Sequence, residues 1–381
     1  MKKKYFIFSI VTLVLFAIVI TCFNYFKNTK NYVEDNTSKP TKITKGISMN
    51  LEQTAGAGDY KTVTQSSWPT EGYKFNSELS RCENGSEISW DDTNKKVIVS
   101  GNLSDKCYVY FDIYQPTLAE YIKSQYTGTQ GDNALYYHNS TLTNGAGDNS
   151  YRYAGASESV NNYICLGSDA TTCPDANLFR IIGVFGDQVK LIKLKSTGDQ
   201  YWDTNGSNTW SSSSLNTYLN GEYLTSLGTL AQKIATTTWK VGGGSYANIV
   251  TSVSKTAYQY EVGSSASSTT YDAKIGLMYV SDYYYAASPS SWTLVGYNSS
   301  DATKDYRAAK ATNWLSGSFE WTISRTSDYS SFAFVVAWTG YVNSVDVVSY
   351  NKAAVRPTFS LNSSVTYVNG DGTQSSPIRI N

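Results

Sequence analysis

The sequence predicts an α+β chain: a small all-β module, then a larger domain of strands and short helices, with an apolar N-terminal helix in front. Three observations lead there. Between residues 47 and 114, apolar side chains alternate in six short runs broken by turn residues. Beyond residue 116, strand-like runs alternate with segments whose apolar residues recur every three or four positions. Residues 5–25 form an almost unbroken apolar stretch behind Lys2, Lys3 and Lys4.

That first stretch is long enough, as a helix, to rise about 30 Å, the depth of a bilayer core. A cleaved signal peptide would carry a shorter apolar region and then a small-x-small site. Thr21-Cys22-Phe23-Asn24-Tyr25 offers none. The segment 1–27 is therefore read as an uncleaved anchor in a cell membrane, single-pass, with a cytoplasmic N-terminus set by its lysines and an extracellular remainder. Residues 28–46, polar and carrying Pro40, read as a stalk.

In the β module, segments 48–53, 60–63, 73–80, 88–90, 96–100 and 107–114 read as strands. Asn84-Gly85 and Asp92-Thr93-Asn94 supply turns. A β-sandwich of this size is marginal without a staple. Beyond Cys22 the cysteines are Cys82, Cys107, Cys165 and Cys173. Four thiols allow three pairings. Closeness in sequence favours Cys82–Cys107 and Cys165–Cys173; free thiols are the alternative, and the absence of any Cys-x-x-Cys pair argues against zinc.

Thr117-Leu118-Ala119-Glu120 is a capping box opening a short helix, the start of a connector over 115–160. This connector is rich in Gly, Asn and Ser and holds His138, read as a solvated loop side chain. From residue 161 onward, 178–185 and 188–194 form a hairpin around Gly186-Asp187. Segments 213–219 and 223–234 read as helices, 274–280 as a buried strand, and 319–324, 333–338 and 354–361 as closing strands.

The order of NLFRIIGVFGDQVKLIK, WSSSSLNTYLN, KIGLMYVSDYYYA, FEWTISR and AVRPTFSL resembles an uncharacterised domain of gut Firmicutes surface proteins. That domain is similar to the C-type-lectin-like fold shared with formylglycine-generating enzymes. The resemblance covers residues 161–381 and implies a C-type-lectin-like ligand-binding domain. The late cysteine pair of the formylglycine-generating enzymes is missing, and so are the Glu-Pro-Asn and Trp-Asn-Asp motifs of calcium lectins. The segment 324–352, just before Val355-Arg356-Pro357, is also similar to the variable segment of target proteins of diversity-generating retroelements.

Lys+Arg and Asp+Glu both number 31, so no basic field for nucleic acid exists. The chain has one histidine, which leaves little for acid–base chemistry near neutral pH. Between Tyr258 and Tyr350 there are twelve Tyr and four Trp among small polar residues, a mixture suited to adaptable contact surfaces. The sequence thus points to a non-enzymatic cell-surface adhesin or recognition protein without cofactor or metal, binding an extracellular glycan or protein. Tyr329, Ser331, Tyr341, Asn343, Ser344 and Asp346 are the expected contacts. Trp202, Trp210 and Trp292, in polar loops, are expected to be exposed, and Trp338, in an apolar run, to be core. An envelope hydrolase using two of Glu222, Glu261, Asp282 and Glu320 is the alternative; a self-assembling surface-layer subunit is the third. Arg356 is expected to hold loop carbonyls or a carboxylate.

Overall fold

The computed structural model describes residues 46–381, except 65–66, 70–71, 103, 348–351 and the side chain of Asp346. The anchor expected over 1–27 and all but the last residue of the stalk expected over 28–46 lie outside the described residues; Gly46 already belongs to a strand. Among the described residues no helix is long and apolar enough to cross a membrane.

The chain divides after Gln115 into two compact units. In the first, Gly46–Glu52 lies at the centre, antiparallel to Tyr60–Val63 and parallel to Lys106–Ile113; the latter also pairs with Tyr73–Cys82. Glu87–Asp91 and Lys96–Ser100 form a separate ribbon. Met49, Leu51, Val109 and Phe111 are buried against half-buried Phe75, Trp90 and Val97. This alternation is what the period-two pattern encodes. Cys82 and Cys107 stand opposite each other in the register and are disulfide-bonded.

The second unit starts with the capped helix Leu118–Ser124. The Glu120 N–H donates to Thr117 Oγ1 at 3.2 Å, and the Thr117 N–H to Glu120 Oε2 at 2.8 Å. Leu118 and Ile122 enter the main core of this unit, as do Leu135 and Tyr153. One sheet runs Thr358–Ser360, Gln188–Lys193, Leu178–Phe185, Tyr151–Tyr153, Leu135–Tyr137, with Tyr163–Cys165 also on Leu178–Phe185. A second runs Asp199–Gln200, Ala353–Ala354, Glu320–Arg325, Phe332–Val336, Val342–Asp346. Cys165 and Cys173 form the second disulfide.

The expected α+β, C-type-lectin-like class is overturned by this architecture. Strand outweighs helix, 34% to 20%, and is spread over several sheets. The helices expected over 213–219 and 223–234 form as one run of short helical pieces, Ser214–Tyr218 capped by the Ser213 hydroxyl, Leu219–Tyr223 and Leu224–Ser226, followed by the single-turn Gly228–Gln232. The left-handed Gly228 (φ +57°) breaks the run after Leu227, and the last turn stops at Gln232, short of the expected residue 234. Residues 274–280 are largely buried, but Gly276 bridges Thr358 in isolation instead of joining a strand.

Candidate functional site

Four residues from four neighbouring strands fall in one row of the first sheet of unit two: Arg152, Gly183, Lys190 and Ser360. Gly183 is needed there, because a Cβ would come within 2.2 Å of the Tyr151 carbonyl oxygen. Its missing side chain leaves two long cations, Arg152 and Lys190, flanking a bare position. Both are buried.

Helix Val280–Tyr285 brings Asp282 to this row. Lys190 Nζ donates to Asp282 Oδ2, and Arg152 Nη1 lies 3.7 Å from Asp282 Oδ1. Arg152 Nη2 donates to Asp148 Oδ2 at 2.6 Å, and its Nε to Ser150 Oγ at 2.8 Å. Asp282 Oδ2 also accepts the Tyr279 N–H at 2.8 Å. Behind it, Glu261 ends helix Ser254–Glu261 and accepts the Val280 and Ser281 N–H groups, each at 2.8 Å, as well as the Ser324 hydroxyl. A carboxylate at the start of Val280–Tyr285 suits the unpaired N–H groups there.

Burial lowers the Lys190 pKa, against the pull of Asp282. Burial raises the Glu261 carboxyl, with the Ser281 and Ser324 hydroxyls and then the Ser281 and Val280 amides acting the other way. Burial also works against the Arg152 charge, but Asp148 and Asp282 more than restore it. Desolvation and paired charge are the competing effects here.

Rings wall the cations. Lys190 Nζ lies 4.5 Å from the Tyr279 centroid, 5.5 Å from Trp239 and 5.6 Å from Phe185. The Arg152 guanidinium lies 4.7 Å from Phe185 and 5.3 Å from Tyr258. Such stacking favours desolvated cations. Above them opens a cavity of about 230 Å³ whose lining also includes Gln188, Thr237, Lys240 and Ser281. The Thr237 hydroxyl is buried without a hydrogen-bond partner. The Ser281 hydroxyl, beside Glu261, makes no hydrogen bond of normal geometry.

The contacts expected from sequence lie elsewhere. They occupy the hairpin Phe332–Val336/Val342–Asp346, whose outer strand is a sheet edge. Tyr329 and Ser331 flank one end, where Phe332 faces Asp346, while Tyr341 and Asn343 flank the turn. Four residues of strand separate those ends, about 13 Å. Tyr329 is 64% exposed. Tyr341 is half-buried, 4.9 Å from the Tyr297 ring, with Arg307 over both. Ser331, Asn343 and Ser344 are half-buried, and the Asp346 side chain lies outside the described residues. The hairpin and the residues flanking its strands string the six residues along its length.

The tryptophan assignments reverse. Trp202, Trp210 and Trp292 are 0–1% exposed, whereas Trp338 is 68% exposed. Polar flanks in sequence do not keep these rings in solvent, because other segments cover them and accept the indole N–H where one is bonded, Trp202 Nε1 to Thr322 O at 3.0 Å and Trp292 Nε1 to Ala287 O at 2.9 Å. The Phe332–Val336 strand ends before Trp338, which rides the turn closed by Gly340 at φ +102°. Most rings of the expected surface are likewise internal, including Tyr279, Tyr283, Tyr284, Tyr285, Tyr306, Trp314 and Trp321. His138, expected in solvent, is fully buried between Tyr285 and Trp292.

Of the four acidic residues considered for hydrolysis, Glu320 is clasped by Arg356 through Nε at 2.5 Å and Nη2 at 2.7 Å. Arg356 also donates to Leu315 O at 2.7 Å, the holding role expected of it. No grouping of three or more metal-ligating side chains occurs among the described residues. No row-forming motif announces the Arg152/Lys190/Asp282 cluster in sequence. Sheet register aligns Arg152 with Lys190, and the packing of helix Val280–Tyr285 adds Asp282. No family model, curated protein or solved structure matches this chain.

Proposed function

We propose that this chain is a recognition protein acting outside the cytoplasm, and that it holds one unit of an extracellular glycan in the Lys190/Trp239 cavity. The cavity carries this reading: rings form its walls and polar groups its floor, the arrangement that fixes a polar ring with an apolar face. At about 230 Å³ it is below the roughly 300–1,000 Å³ of drug-sized ligand sites, which suits a single sugar ring. The two disulfides support an oxidising location.

Binding is favoured over hydrolysis because the carboxylates beside the cavity are engaged by protein donors. Asp148 holds Arg152 and Ser150, Asp282 holds Lys190 and the Tyr279 N–H, and Glu261 holds the start of a helix. A proton-transferring pair would need a carboxyl free to reach the bond being broken.

The test is ligand-observed NMR on the chain with a panel of monosaccharides, beside a Gln188→Trp variant that fills the cavity mouth. Saturation transfer to at least one sugar, lost in the variant, is the expected result. Equal signals in both proteins would remove the cavity from recognition.

A further inference from the structure

The donors and acceptors around the cavity are unequal in number. Among the lining residues, Arg152, Lys190 and Lys240 stand against Asp148 and Asp282, three positive charges against two, with Glu261 acting on Lys190 from behind the lining. The two carboxylates already accept from Arg152, Ser150, Lys190 and the Tyr279 N–H. The Lys190 ammonium has three N–H donors and a single hydrogen bond among the described residues, to Asp282. Lys240 makes no ion pair among the described residues, although its backbone is pinned by an N–H donated to Tyr279 Oη at 2.8 Å. Thr237 adds a buried hydroxyl with no partner. Donors therefore await an acceptor, and the lining carries no third carboxylate to supply one.

From this imbalance we infer that the ligand is an acidic sugar: a pyranose-sized ring bearing a carboxylate, its acid group on the Lys190 and Lys240 ammonium groups and its apolar face on the surrounding rings. The assignment deepens the glycan-binding role proposed above and rests on it. A carboxylate completes the charge balance of the lining and accepts charge-assisted hydrogen bonds in a partly dry site, where they are strong. A neutral sugar leaves the same donors desolvated without compensation. A cationic ligand meets like charge.

The experiment compares glucuronate with glucose, titrated into the chain and read by chemical-shift or calorimetric Kd at low and at 0.5 M salt. Glucuronate is expected to bind at least tenfold tighter, with the preference shrinking at high salt. In Lys240→Met, at the rim, the preference is expected to fall to twofold or less. Lys190→Met should lose it as well, and Lys240→Met keeps the test decisive if the buried substitution unfolds. Glucose binding as tightly as glucuronate overturns the acidic assignment while leaving a sugar cavity in place. A preference that survives in Lys240→Met overturns it too, since the acid group is then not held between the Lys190 and Lys240 ammonium groups. Binding of neither sugar, with none of the panel above binding, brings down both readings.

Discussion

Lys190 and Asp282, ninety-two positions apart in the chain, form a buried ion pair between a sheet strand and the first turn of a helix. Arg152 lies 3.7 Å from the same carboxylate, so the pair is one edge of a network that ties strands Tyr151–Tyr153 and Gln188–Lys193 to helix Val280–Tyr285. The cavity stands on this network.

Breaking the network should be asymmetric. Asp282→Ala strands Lys190 in a ring-lined interior, and loss of one partner from a buried pair costs about 3–5 kcal/mol. Lys190→Met puts an apolar chain of similar length among Tyr279, Trp239 and Phe185, while Asp282 keeps Arg152 and the Tyr279 N–H. Urea unfolding midpoints should show the first variant losing clearly more stability than the second. Equal losses would mean that the carboxylate, too, depends on Lys190.

The tryptophan reversal is directly measurable. Trp292→Ala empties a fully buried site and should cost about 3–5 kcal/mol. Trp338→Ala and Tyr329→Ala remove exposed rings and should change stability by no more than about 0.5 kcal/mol. Thermal melts of the three variants decide the matter, and a large loss in Trp338→Ala would contradict its position on the turn.

His138 gives the fold a pH response. Its Nδ1 accepts the Ala146 N–H at 3.1 Å, and its Nε2 is buried without a partner. Burial, then the Arg152 charge, hold its pKa well below 6.5, with Asp148 acting the other way. The folded state therefore resists a proton that the unfolded chain takes up near pH 6.5. Stability is complete above that pH and declines as pH falls below it, by up to about 1.4 kcal/mol per unit until the depressed folded pKa is reached. Denaturant midpoints between pH 7 and 5 should fall more steeply for the parent than for His138→Phe, which starts lower because Ala146 loses its acceptor. Parallel slopes would exclude the histidine as the cause.

The disulfides should differ in weight. Cys82–Cys107 spans 25 positions and Cys165–Cys173 spans 8. On the chain-entropy model these are worth about 3–4 and about 2–3 kcal/mol. Cys82→Ser should therefore destabilise the first unit more than Cys165→Ser destabilises the second, as followed by limited proteolysis at increasing urea.

Much of the local structure was legible because it depends on neighbours in sequence. Tyr60–Val63, Lys96–Ser100 and Leu178–Phe185 begin and end where alternation and turn residues say they should. The Thr117/Glu120 capping box forms as its spacing dictates, and the two disulfides join the cysteines nearest in the chain. The cavity was not legible, because Arg152, Lys190, Asp282 and Trp239 carry no shared spacing. Nor was the fate of the rings: Tyr and Trp can face either way, and composition alone does not say which loop will fold over them.

The amino-acid order by itself determined strand runs, caps, turns and cysteine partners, since each follows from backbone sterics and hydrogen bonding within a few residues. Only the tertiary structure decided that Trp292 and His138 are interior, that Trp338 is exterior, and that the distant charges of Arg152, Lys190 and Asp282 share one floor. Those outcomes depend on strand register and on burial of apolar area, which are properties of the packed whole.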